Sequence, residues 1–224
     1  PYIKMVDIKV TLYYDNLQAL TFFHRRSHMT YKRQRISPVV LAYVSLFAAL
    51  TALGAFIRIP IPYVPFTLQI LFVYLAGSLM GSRLGGLSQL VYLALGLIGV
   101  PIFTEGGGPM YIFKPTFGYL IGFMIAAFII GKVIEKQSKP QRKHFYMAHF
   151  IGLFIVYLFG VTYLYISLNF WLGIPSSVSY VFLYGFILAI PGDIVLCILA
   201  SNLASRLYNH FPLTKSIGKD VQAT

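Results

Sequence analysis

The sequence predicts an all-α integral membrane protein of six transmembrane helices with both termini in the cytoplasm. Three observations carry this expectation. Of 224 residues, 58% are hydrophobic and 11% charged, against roughly 45–50% and about 25% in soluble domains. Apolar runs of the roughly 17–25 residues that a spanning helix needs recur along the chain. Lys and Arg cluster on one side of those runs, which sets orientation. The net charge of +12 would suggest nucleic acid in a soluble chain; here its placement matters more than its sum, and no nucleic-acid partner is expected.

Spans are predicted at 38–57, 66–82, 84–100, 116–131 and 148–171, followed by a complex final segment at 177–207. Residues 25–37 carry five basic residues, Arg83 is one, 132–143 carry five, and Arg206, Lys215 and Lys219 follow, fourteen on one side. Opposite them stand Arg58 and Lys114, with Lys4 and Lys9 too distal to count. Residues 1–28 stand outside the pattern: they begin with Pro1, lack a long apolar core and precede Met29 in MTYKRQRIS, which looks like a natural start with a basic flank. A non-native leader is expected, or else a short amphipathic lead-in. The first run resembling a signal-peptide core is itself a span, so no signal peptide is expected. The predicted organisation is therefore a leader at 1–28, one six-helix domain at 29–210 and a cytoplasmic tail at 211–224.

The final segment must break. As one helix, its 31 residues would measure about 46 Å, against a hydrocarbon core of about 30 Å. Pro191 marks the place, because proline is costly inside a helix and cheap at its first position. The last span then starts at IPGD, with Asp193 in the first turn near the free N–H groups. Asp193 is the one acidic residue inside an apolar run, the other five lying in the leader, loops or tail. A carboxylate at membrane depth costs about 2.5–3.5 kcal/mol on insertion scales, so it faces a cavity or a partner. Two uses fit: capping its own helix, or holding a ligand at an opened helix end.

Several chemistries are disfavoured. His24, His28, His144, His149 and His210 lie in flanks or at a span end, and no His/Cys/carboxylate cluster has ligand spacing, so no metal or cofactor is expected. The single cysteine, Cys197, lies in an apolar run and forms no internal disulfide. GGLSQ lacks the second glycine of a nucleophile elbow, and no carboxylate pair is available for acid–base work. GKV at 131–133 lacks the rest of a phosphate loop, so uphill transport would need energy from another subunit.

Small residues mark close helix approach. Gly77, Gly81 and Gly85 repeat every four residues, as do Gly118 and Gly122, and the first span holds the pairs Ser45/Ala49, Ala48/Ala52 and Thr51/Ala55. Such spacing serves either packing inside the bundle or docking of a partner helix, with Ala48 and Ala52 the predicted docking pair. The stretch GLIGVPIFTEGGGPMYIFKPTFGYLIGF, residues 96–123, gathers charges, prolines and three consecutive glycines between two spans. It is either an ordinary extracellular turn or a ligand lid, since non-helical backbone near the membrane is tolerated where it lines a cavity.

The ordered fragments VPFTLQILFVYLAGSLMGSRLGGLSQLVYLALGLIGVPIFTEGGG, PTFGYLIGF, IVYLFGVTYL and IPGD resemble the BioY family, the biotin-binding S components of energy-coupling-factor vitamin transporters, across nearly all of residues 36–207. The resemblance implies an S-component fold in the plasma membrane, capture of biotin at the extracellular side, and docking on a transmembrane coupling subunit served by two ATPase subunits. Biotin joins a polar ureido ring to an apolar thiophane and a charged tail, so it needs a few polar groups in an apolar, aromatic pocket. Asp193, Gln69, Tyr92, Phe103 and Tyr119 have that chemistry, with Gly107, Gly108 and Thr116 from the loop. Many family members carry a lysine three residues after the aspartate of PGD; here Leu196 stands there. Lys114, or less directly Arg58, would then face the biotin carboxylate, unless these are interfacial residues snorkelling to water. A relative taking another vitamin, or a membrane subunit that does not transport, are the other readings.

Overall fold

The computed structural model describes residues 38–211, and prolines and glycines set most of its boundaries. The leader, the basic stretch at 25–37, and Lys215 and Lys219 lie outside the described residues. Helix α1, Pro38–Phe56, opens on proline, whose missing N–H is no loss in a first turn. It ends at a minimal hairpin: β1, Arg58–Ile59, pairs antiparallel with β2, Phe66–Thr67, with Arg58 opposite Thr67 and Ile59 opposite Phe66. The intervening loop holds Pro60, Pro62 and Pro65.

Helix α2, Gln69–Ile98, is interrupted at Gly81, whose φ of 79° and ψ of −179° suit glycine alone. The chain doubles back there. Gln69 Nε2 reaches Tyr92 Oη at 2.7 Å, a pair that about 34 Å would separate in a straight helix. A Cβ on Gly85 would lie 2.8 Å from Gly77 Cα, so the two halves touch backbone to backbone. The turn therefore falls at Gly81, two residues before the predicted connection at Arg83. The glycine stripe at 77, 81 and 85 is also not one helix face: its middle member is the turn, and the outer two meet across it. Close backbone contact of this kind supplies the van der Waals packing that holds helices together in lipid. The second half restarts on Glu135, whose carboxylate accepts from Ser82 N–H and Ser82 Oγ–H, both at 2.7 Å. A carboxylate suits the positive end of a helix.

Helix α3, Phe117–Glu135, packs on both halves of α2. Helix α4, Arg142–Ile166, opens with a reciprocal cap between Gln141 and His144 and continues as a π-helical turn, Ser167–Trp171. Then follow α5, Val178–Phe182, a second π-helical turn, Leu183–Ile187, and α6, Ile190–Leu207, with Pro191 in its first turn. The predicted break is thus a change of helical register just ahead of Pro191. Among the described residues, five helical segments are long and apolar enough to cross a membrane: Pro38–Phe56, Gln69–Ile98, Phe117–Glu135, Arg142–Trp171 and Val178–His210.

Candidate functional site

The IPGD turn is where the site begins. Pro191 lies in the first turn of α6, and Gly192 makes room for a neighbour, because a Cβ there would lie 2.5 Å from the ring of Phe66. The β2 strand therefore packs directly on the residue before Asp193. Asp193 is 9% exposed. Tyr157 of α4 donates its phenolic hydrogen to Asp193 Oδ2, which ties the carboxylate to the bundle.

A cavity of about 50 Å³ opens beside this pair. Its polar wall is built by Asp193, Tyr157, Gln69, Thr67, Thr104 and Thr116, and its apolar wall by Phe66, Ile70, Leu120, Phe123, Val156 and Ala189, with Tyr119 between them. Gln69, the first residue of α2, is 2% exposed and fixed on both ends of its amide. Thr67 Oγ1 donates to its Oε1 at 3.1 Å, and its Nε2 donates to Tyr92 Oη, which donates in turn to the Ile102 carbonyl at 3.1 Å. Tyr119 donates to the carbonyl of Gly185 at 2.6 Å, joining α3 to the π-helical turn, a feature frequent at functional sites. Among the described residues no Lys or Arg lines this cavity.

A larger groove of about 510 Å³ lies on another side of Tyr157, among Phe150, Phe154, Phe182 and Phe186. Phe154 is 68% exposed, so the groove faces outward and is almost wholly apolar. The smaller cavity, with its buried carboxylate and oriented amide, is the better candidate for selective binding.

Of the sequence-predicted residues, Asp193, Gln69, Thr116 and Tyr119 come together in the cavity wall. Tyr92 stands behind Gln69. Phe103, Gly107 and Gly108 do not line the cavity; they fold the 99–116 loop onto itself. Phe103 exchanges backbone hydrogen bonds with Gly106 at 2.9 and 3.2 Å, and its ring lies 4.5 Å from that of Tyr111 and 5.3 Å from that of Tyr92. Gly107 sits against the carbonyl of Val100, and Gly108 N–H donates to the carbonyl of Gly96 at 2.7 Å. From the loop itself, Thr104 and Thr116 reach the cavity. Lys114 is also outside it, paired with Glu105 at 3.1 Å on the surface. Arg58 is nearer: it donates to the carbonyl of Thr104, a cavity residue. Leu196 is buried in the core.

Ala48 and Ala52 are placed differently from the sequence expectation. Both are buried, at 4% and 9% exposure, on the face of α1 that carries Thr51, which accepts from Gln89 of α2. That face is occupied by the chain itself. Sequence reasoning missed Tyr157, Thr67 and Thr104. For Tyr157 the available signal was a hydroxyl deep in an apolar span, which needs a partner.

A helical membrane bundle enclosing a small cavity, with a buried carboxylate and an oriented amide in its wall, defines a ligand-binding membrane protein. The BioY family model matches residues 27–213, and the chain belongs to that family. It is 54% identical over 181 residues to a probable biotin transporter BioY of Lysinibacillus sphaericus, covering 81% of this chain and 92% of that one. It is 36% identical over 170 residues to the biotin transporter BioY of Thermotoga maritima, covering 75% and 94%. The crystal structure of the S-component for biotin from an ECF-type ABC transporter superposes with a TM-score of 0.66 at 28% identity, covering 76% of this chain and 90% of that chain.

Proposed function

We propose that this chain is the biotin-capturing membrane subunit of an ATP-driven vitamin transporter. The observation that carries the reading is Asp193: a buried carboxylate at the cavity wall whose one hydrogen bond among the described residues comes from Tyr157. A carboxylate kept in an apolar interior needs further donors, and the ureido N–H groups of biotin supply them as charge-assisted bonds. Gln69, held by Thr67 and Tyr92, offers the amide that completes ureido recognition. Ile70, Leu120, Phe123 and Val156 suit the apolar thiophane. Arg58 takes the place first given to Lys114 as partner of the biotin carboxylate, because it reaches Thr104 while Lys114 is engaged with Glu105.

The reversal at Gly81 supports six crossings, because each half of α2 then counts as a span. With the fourteen-to-two charge asymmetry, six crossings put both termini in the cytoplasm of a multi-pass plasma-membrane protein. The two loops beside the cavity, 57–68 and 99–116, carry only Arg58 and Lys114 among basic residues, which supports an extracellular mouth. Sites for drug-sized ligands measure about 300–1,000 Å³, so a cavity of about 50 Å³ must widen to admit biotin. The segment Val64–Thr67 is the longest stretch of the wall outside the long helices and the part best suited to move.

A transmembrane coupling subunit and two ATPase subunits supply the energy, since the sequence carries no phosphate loop. The docking face on α1 is the exposed stripe Ala42, Ser45 and Ala49, small residues that admit a partner helix closely. That no Lys or Arg among the described residues lines the cavity favours one second reading, a vitamin without a carboxylate. Equilibrium titration of the purified chain with a panel of vitamins separates the two. Selective saturation by biotin is expected, and preference for another vitamin would overturn the substrate assignment.

A further inference from the structure

Helices α4 and α6 run antiparallel and are joined by two polar rungs in one register. Tyr157 pairs with Asp193, and His149 pairs with Ser201, the imidazole Nδ1 lying 2.8 Å from Ser201 Oγ. On each helix the two positions are eight residues apart, about 12 Å of helix rise. His149 and Ser201 are both fully buried, and on its other edge the imidazole Nε2 meets Ser78 Oγ of α2 at 2.6 Å.

The tautomer follows from the serines. Ser201 donates its single hydroxyl hydrogen to the carbonyl of Cys197 at 2.7 Å, so at the 2.8 Å contact it can only accept. His149 Nδ1 must therefore carry the hydrogen, and Nε2, left with a lone pair, accepts from Ser78. The neutral imidazole is satisfied on both nitrogens and bridges α2 to α6. The ring of Tyr74 stacks on it at 5.0 Å and 12°.

We infer that His149 is a positioning residue for Asp193, acting through the Ser201 bond to fix how far α6 stands along α4. Sliding or rotating α6 would break the His149–Ser201 rung and carry Asp193 away from Tyr157 and the cavity at the same time. The bond to Ser78 holds α4 to α2, whose cavity residue Gln69 is fixed independently by Thr67 and Tyr92, so it bears no such relation to the placing of Asp193. This inference rests on the biotin reading above.

The test compares the two serines, each of which presents one hydroxyl to the same imidazole. Ser201→Ala is expected to weaken biotin binding by the purified chain about tenfold, whereas Ser78→Ala stays within about twofold. Thermal unfolding in detergent should show similar stability losses for both. In an Asp193→Ala background the Ser201→Ala loss should vanish, because the residue being positioned is gone. The same bond is tested from the other side by His149→Asn, whose amide nitrogen falls near the Nδ1 position and keeps binding, and His149→Gln, whose amide lies near Nε2 and loses it. This second pair decides the matter if Ser201→Ala does not fold. Equal affinity losses for the paired variants, or a Ser201→Ala loss that persists without Asp193, would overturn the positioning role. If the wild-type chain binds no biotin, the substrate assignment fails first and this inference falls with it.

Discussion

Two polar clusters are buried between α4 and α6, about 12 Å apart along the helices, and they are finished differently. Around His149 both imidazole nitrogens and both facing serine hydroxyls are matched. Around Asp193 a carboxylate with capacity for several donors receives one among the described residues, from Tyr157, and lines a cavity. The two clusters draw on the same pair of helices and both are buried, so the contrast lies in completeness. A completed network in a low-dielectric interior rigidifies and specifies packing, whereas spare acceptor capacity at a cavity wall suits a ligand.

The largest effect is expected from breaking the completed cluster. His149→Leu strands Ser78 and removes the donor to Ser201, at about 1–3 kcal/mol for a buried group left unsatisfied. A total loss of roughly 2–4 kcal/mol is expected, read as a lower midpoint of thermal unfolding in detergent. Asp193→Asn keeps an acceptor for Tyr157 and should change stability by less than about 1 kcal/mol. Equal losses for the two variants would erase the distinction between the clusters.

A second contrast runs across α1. Ala48 is buried and Ala49 exposed, so Ala48→Trp overpacks the core at a cost of about 1–3 kcal/mol or more and should yield little folded protein. Ala49→Trp should fold and bind biotin, yet lose co-purification with the coupling subunit and ATP-dependent uptake in proteoliposomes. Uptake by Ala49→Trp at the wild-type rate would place docking on another surface.

The smallest effect concerns the charged tail of the ligand. Arg58→Ala should weaken biotin about three- to fivefold while barely affecting a biotin amide, in keeping with the roughly 0.2–1 kcal/mol of an exposed charge pair. Lys114→Ala, which frees only Glu105, should change either affinity by less than about twofold. The reverse order would return the carboxylate to Lys114.

Asp193 was legible in the sequence because a lone acid in an apolar run has few uses, and Pro191 because a helix of that length cannot stay regular. Gln69, Thr116 and Tyr119 were singled out for their chemistry within the family fragments, and the structure brings them to one cavity wall. The loop was misjudged in part. Its glycines do allow close backbone approach, but the approach is to Val100 and Gly96 within the loop and its flanking helix. Tyr157 was hidden because its span also holds Tyr163 and Tyr165, and only the packing of α4 on α6 selects the one that reaches Asp193. The burial of Ala48 and Ala52 was hidden for a related reason. Small residues occur on two phases of α1, and hydropathy does not separate a core face from a partner face when both are apolar. The turn at Gly81 could not be told from a regular glycine stripe, since spacing alone does not report the sign of φ.

The most direct test of the central claim is an equilibrium biotin titration of purified wild-type and Asp193→Ala chains, with folding of both verified by their unfolding midpoints. Removing charge-assisted bonds worth about 1.5–3 kcal/mol should weaken binding roughly ten- to a hundredfold. Undiminished biotin affinity in a folded Asp193→Ala chain would contradict the assignment of this carboxylate as the ligand's anchor.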